Sequence, residues 1–211
     1  PEHQRNEALG NEAIARGEVA LCVLAGGMAT RMGGVVKALV EALPGKTFLE
    51  LRLAEMAAIQ RRFGVHPPLW LMTSEATDGP IREALAAKNP EGEVATFEQC
   101  VSLRLTHEGN LFRDEHGEPS VYATGHGDLP DALRASGYLD RFVARGGKTV
   151  WIANLDNLGA TIDPAVLGFH LAHRGPVTVE VVNKVGTDRG GGPVRWNGRR
   201  IIAEEVRLPA G

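Results

Sequence analysis

"VALCVLAGGMATRMG" occupies residues 19–33, and its first six residues are apolar without a break. A run that long and uniformly apolar fits a strand buried on both faces, the kind found in parallel sheets. It opens directly into a glycine-rich turn, "LAGGMATRMG" at 24–33, that carries one arginine. Glycines after a strand let backbone N–H groups approach an anion, because no β-carbon intervenes. The turn lacks the Gly-Lys-Ser/Thr ending of a Walker A loop and the G-x-G-x-x-G spacing of a dinucleotide fold.

Working outward, the same alternation continues. "NEALGNEAIARGE" at 6–18 has Leu9, Ala13 and Ile14 at helical spacing and a stop at Gly17. Residues 34–46 have no dominant period and close on a Pro-Gly turn at 44–45. "TFLELRLAEMAAIQRRFG" at 47–64 is a helix, with apolar residues every three or four positions, Thr47 as cap and Gly64 as stop. Strand two is expected at 67–74 and a short helix at 79–89. Weaker strands are expected at 94–99 and 101–105, and a helical stretch kinked near Gly137 at 128–147. Strand three is expected at 148–157, a helix capped by Asp163 at 163–175, and strand four at 177–184. A hairpin turning at Asn197-Gly198 closes the chain. Strands alternating with helices imply an α/β fold, a mostly parallel twisted sheet with helices on both faces. Such sheets bind ligands beyond the carboxyl ends of their strands.

Composition narrows the function classes. The chain has 211 residues, 43% hydrophobic and 23% charged, with net charge −3. That balance does not suit a general nucleic-acid binder, and no membrane partner is expected. Two isolated cysteines, Cys22 and Cys100, make neither a disulfide framework nor a zinc site. With no run of about 18 apolar residues and no leader pattern, the expectation is a cytoplasmic protein.

Four groups could do chemistry. Arg31 and Lys37 flank the glycine turn, and two cations beside free N–H groups suit a polyphosphate. Asp156, in "ANLDNLGA" at 153–160, ends strand three, where a carboxylate suits either Mg²⁺ or a turn. Asn154 and Asn157 beside it suit amide hydrogen bonds to a ligand or closure of the same turn. "GHGD" at 125–128 places glycines on both sides of His126, so that the backbone can come close to a planar ligand. Lys184, at the end of strand four, is placed as a phosphate anchor.

Together these motifs resemble the UTP–sugar-1-phosphate uridylyltransferases, the UDP-glucose and UDP-N-acetylglucosamine pyrophosphorylases. The order of "LAGGMATRMG", "LMTS" at 71–74, "FEQ" at 97–99, "GHGD", "ANLDNLGATID" at 153–163 and "VVNK" at 181–184 carries the resemblance, over roughly residues 20–209. His126 places it nearer the UDP-glucose branch. Two positions depart from the family pattern: Ala29 replaces a glycine, and Val36 stands where a proline usually precedes the lysine. The resemblance implies a Rossmann-like nucleotidyltransferase domain over 1–211, expected to lack its C-terminal part. It implies transfer of a uridylyl group from UTP to a sugar 1-phosphate, glucose 1-phosphate above others, with Mg²⁺ on Asp156. Arg31, Lys37 and Lys184 would serve the phosphates. Gly26, Gly27, Gln99 and Gly125 would hold the nucleotide, with Gln99 and Gly125 reading uracil. His126, Asn154 and Glu204 would complete substrate binding, Glu204 facing the sugar. A non-catalytic nucleotide-sugar binding domain of the same fold is the alternative. A glycosyltransferase is disfavoured because Asn154-Leu155-Asp156 is not a D-x-D motif.

Overall fold

A computed structural model describes residues 1–29, 34–181, 195–196 and 200–201. It forms two compact units, Pro1–Gly175 and Pro176–Gly211. The elements of the first unit run α1 (Glu2–Ala15), β1 (Val19–Leu24), β2 (Met28–Ala29), β3 (Val35–Val36), β4 (Glu41–Leu43), β5 (Lys46–Thr47), α2 (Phe48–Phe63), β6 (Leu69–Thr73) and α3 (Glu75–Lys88). They continue with β7 (Val94–Glu98), β8 (Val101–Leu103), β9 (Val121–Ala123), α4 (Leu129–Ala135), α5 (Tyr138–Ala144), β10 (Thr149–Asn154) and α6 (Pro164–His173). In the second unit β11 (Arg195–Trp196) pairs antiparallel with β12 (Arg200–Ile201), the expected hairpin; its turn lies outside the described residues.

The central sheet has the order β10-β1-β6-β7, and all three pairings are parallel. Alternation along each strand feeds two separate cores. Val19, Leu21, Val23, Leu69 and Leu71 face Ile14 of α1, Leu49, Met56 and Ile59 of α2, Ile81 of α3 and Leu167 of α6. Ala20, Cys22, Trp70, Met72 and Phe97 face Leu129 and Leu133 of α4 and Phe142 of α5. On that side Trp70 meets Phe142 edge-on at 5.5 Å and donates its indole N–H to Glu93 at 3.0 Å, so its polar end is satisfied inside the core. Each fully buried Leu or Phe of these layers contributes about 1.5–3 kcal/mol. Helices therefore cover both faces, as expected.

Local signals explain the helix ends. Thr47 accepts from the Glu50 N–H, and Glu50 accepts from the Thr47 N–H, a reciprocal capping box. Asp163 accepts from the N–H groups of Ala165 and Val166, ahead of Pro164 in the first turn of α6. The expected kink near Gly137 is a break between α4 and α5.

Three expectations are corrected. α1 begins at Glu2 and not near residue 6. α3 begins at Glu75, four residues before Gly79, because Ser74 and Thr77 cap it reciprocally and Pro80 is accommodated within it. The fourth strand of the parallel sheet is β7 and not 177–184. Residues 177–181 are not paired as a strand, and 182–184 lie outside the described residues. Val177, Val179 and Val181 alternate with polar residues and have strand propensity. Strand propensity is realised only against a partner edge, and 177–181 pair with none of the described strands.

Candidate functional site

The ends of β1, β6, β7 and β10 bring the chemical groups together. Leu24 of β1 sits opposite Asn154 of β10, and the Leu155 N–H donates to the Leu24 carbonyl at 3.3 Å. The Ala25 N–H donates to the Met72 carbonyl at 2.8 Å, which carries the start of the glycine turn across to β6. The Ser74 hydroxyl donates to the Gly26 carbonyl at 3.1 Å. The Gln99 N–H donates to the Thr73 carbonyl at 2.9 Å, so Gln99 lies at the same sheet end.

Gly26 lets the Gln99 amide pack against the turn. A β-carbon there would lie 2.6 Å from Gln99 Nε2 and 3.5 Å from the Ser74 nitrogen. Gln99 is 8% exposed, so its amide is set against the glycine turn in a largely dry position. Gly125 follows within reach of the same segment, because the Thr124 N–H and hydroxyl both donate to the Cys100 carbonyl, at 3.2 and 3.1 Å. At φ 99°, ψ −165°, Gly125 has a backbone that only glycine adopts readily. His126 begins the short 3-10 turn His126–Asp128, and it is exposed.

The contact with the most chemical content joins the glycine turn to β10. Lys37 Nζ donates to Asp156 Oδ2 at 2.6 Å, between residues 119 positions apart. The Lys37 N–H also donates to the Gly27 carbonyl at 3.2 Å, beside the β2–β3 pair. Val36, where the resemblance expects proline, has φ −64°, the angle a proline ring fixes. Lys37 and Asp156 are 39% and 43% exposed in their side chains, so the pair faces solvent and a ligand can reach it. Partial burial pushes the Asp156 carboxyl up. The hydrogen bond and charge of Lys37, its own backbone and the Arg52 charge outweigh that, holding it below the usual carboxylate range.

Sequence reasoning missed Arg52. It lies on the core-facing side of α2, 1% exposed, between Leu49 and Met56. Its guanidinium donates to the Asn154, Asn157 and Ala160 carbonyls at 2.9, 2.6 and 3.2 Å and pairs with Glu55 at 2.8 Å. A charge in an otherwise apolar stripe was the available signal. Asn154 and Asn157 are exposed at the head of this loop, their carbonyls turned in to Arg52.

Among the sequence-derived site residues, Gly26, Gly27, Lys37, Gln99, Gly125, His126, Asn154 and Asp156 lie at or next to this end of the sheet. Arg31, Lys184 and Glu204 lie outside the described residues.

Comparison with known proteins agrees with the motif order. The family model described as UTP–glucose-1-phosphate uridylyltransferase matches residues 3–209. The chain belongs to that family. The UTP–glucose-1-phosphate uridylyltransferase of Solanum tuberosum is 32% identical over 192 residues, covering 88% of this chain and 40% of its own. A Leishmania major UDP-glucose pyrophosphorylase G45Y mutant in complex with UDP-glucose matches at 28% identity and TM-score 0.74, covering 84% of this chain and 39% of that one. The Trypanosoma brucei UDP-N-acetylglucosamine pyrophosphorylase matches in fold, with TM-score 0.81 at 23% identity over 96% of this chain and 44% of that one. The chain spans about two fifths of the length of the curated relatives it matches. Among the described residues no helix is long and apolar enough to cross a membrane.

Proposed function

We propose that this chain carries the uridylyl-transfer centre of a UTP–glucose-1-phosphate uridylyltransferase: sugar 1-phosphate + UTP ⇌ UDP-sugar + pyrophosphate. The observation that carries the reading is the Lys37–Asp156 contact beside the Gly26–Gly27 turn, made by two family-motif residues far apart in sequence.

The donor set suits Mg²⁺. Among the described residues no three His, Cys, Asp or Glu side chains cluster, which argues against an all-protein metal cage. One exposed carboxylate fits an ion that takes one or two carboxylates and completes its shell with water and phosphate oxygens. Asp156 would hold it, and bound there it would neutralise charge on the α-phosphate and the incoming sugar phosphate.

The remaining work belongs to the chain. The phosphate oxygen of the sugar attacks the α-phosphorus in line, the bond to the β-phosphate bridging oxygen breaks, and pyrophosphate leaves with that electron pair. A phosphate monoester is already nucleophilic, so no general base is needed. The barrier is largely repulsion between anions, and the protein lowers it by alignment and fixed positive charge. Lys37 and Arg31 neutralise the departing pyrophosphate. By the family motifs, Lys184 is assigned to the sugar phosphate and Glu204 to the sugar. Gln99 presents an amide donor and acceptor to the uracil edge, with the Gly125 backbone beside it.

The test is pyrophosphate release by the full chain with UTP, Mg²⁺ and a panel of sugar 1-phosphates. Turnover highest with glucose 1-phosphate supports the reading. Binding of UDP-glucose without turnover would favour a non-catalytic domain of the same fold.

A further inference from the structure

We propose that Arg52 is a positioning residue that fixes the loop carrying Asp156, so that the carboxylate meets metal and triphosphate already oriented. The inference rests on the uridylyltransferase reading for its functional consequence, and on the side-chain geometry of α2 for its physical basis.

Position 52 is a place where packing alone would favour an aliphatic side chain. Leu49, Met56 and Ile59 form the same buried face of α2. A buried cation is expensive unless it is paired and fully hydrogen-bonded. Here the guanidinium uses its two terminal nitrogens as a fork. One donates to the Asn154 and Asn157 carbonyls, the other to the Ala160 carbonyl and Glu55 Oε2. Asp156 lies between the first two of those carbonyls. The other oxygen of Glu55 accepts the Ile162 N–H at 3.3 Å, so the i,i+3 pair on one helix turn holds the loop at residues 154, 157, 160 and 162.

A loop of this kind would otherwise present its carbonyls to water. Turning three of them inward, onto one rigid planar donor, leaves the outward side of the loop to Asp156. Lysine keeps the charge but not the planar fork, and can reach fewer of these oxygens in one geometry. The Arg52 Nε has no partner among the described residues, so the terminal nitrogens alone carry the arrangement.

Two measurements on the full chain test this, with the variants Arg52→Lys, Arg52→Met and Glu55→Gln. The first is native hydrogen–deuterium exchange of the 154–162 segment without metal. The expected result is faster exchange there by about tenfold or more, with the β1 and β6 amides unchanged. The second is Mn²⁺ binding in the presence of UTP, read by electron paramagnetic resonance. The expected result is a dissociation constant raised about 10- to 100-fold in Arg52→Lys, the usual effect of losing a group that orients a ligand. UTP affinity measured without metal should stay within about threefold of the parent, since no nucleotide contact is removed, whereas by linkage the affinity for metal-loaded UTP falls with that for Mn²⁺. Loop exchange unchanged in folded variants would overturn the proposal, as would unchanged Mn²⁺ affinity. If both Arg52 variants fail to fold, Glu55→Gln, which keeps volume and leaves Arg52 in place, decides by the same two readouts. A parent that binds no Mn²⁺ with UTP would instead sink the uridylyltransferase reading, and the exchange result would still decide whether Arg52 fixes the loop.

Discussion

Replacing Lys37 by methionine separates what the Lys37–Asp156 contact does for stability from what it does for turnover. At 2.6 Å, two unit charges at an effective dielectric constant of about 20 attract by about 6 kcal/mol. That figure does not survive solvent. The two side chains are 39% and 43% exposed, so water and salt screen the pair, and each chain loses rotamer freedom in forming it. Exposed pairs measured by double-mutant cycles contribute about 0.2–1 kcal/mol. Methionine keeps most of the aliphatic stem, so Lys37→Met should lower stability by about 1 kcal/mol or less. Turnover should respond differently. A cation facing a departing pyrophosphate acts where charge develops, in a site with fewer competing waters once nucleotide is bound. Removing one such contact typically lowers kcat by about 10²–10³, which is about 2.7–4 kcal/mol. Urea unfolding followed by circular dichroism measures the first quantity, and steady-state pyrophosphate release with UTP and glucose 1-phosphate measures the second. Asp156→Asn and the double variant complete the cycle. A stability loss above about 3 kcal/mol would refute the treatment of the pair as screened. A fall in kcat of less than about fivefold would refute the assignment of Lys37 to the leaving group.

Gln99→Ala should relax the preference for UTP over ATP, CTP and GTP by about 1–3 kcal/mol, read as a ratio of kcat/KM values; equal rates with ATP and UTP in the parent would remove its basis. Glu50, whose carboxyl is held at about 2 by Lys88 and by Thr47, has a folded pKa below its ordinary 4.5. Its stabilisation is therefore present above 4.5 and lost as pH falls toward 2, so the gap in thermal midpoint between the parent and Glu50→Gln should close over that range. Cys22 is buried, with its thiol pushed up to about 12, while Cys100 is exposed, so a maleimide should label one thiol per native chain and two in urea. Val36→Pro should raise stability by about 0.4–1 kcal/mol in urea unfolding. Its φ already fits, and the Lys37-to-Gly27 bond makes the neighbouring Met28–Val36 pair an unbonded one in the ladder, so no donor is lost.

By itself the sequence determined what short-range forces determine. β1 matches the apolar run at 19–24, because six buried positions in succession have few other solutions. The ends of α2 follow from Thr47, Glu50 and Gly64, and the start of α6 from Asp163 and Pro164, all interactions spanning four residues or fewer. The motif order also pointed to the family and to the sheet end where the motifs gather. Tertiary structure decided the rest. Residues 94–98 and 177–181 both have strand propensity, but only the first finds a partner edge, pairing with β6 from Leu69–Val94 to Thr73–Glu98. The contact of Lys37 with Asp156 crosses 119 residues, and the grip of Arg52 on the 154–160 loop crosses 102 to 108. No local pattern encodes such a contact. A buried arginine between Leu49 and Met56 reads as a flaw in an apolar stripe until the sheet brings β10 and its loop carbonyls against that face of α2.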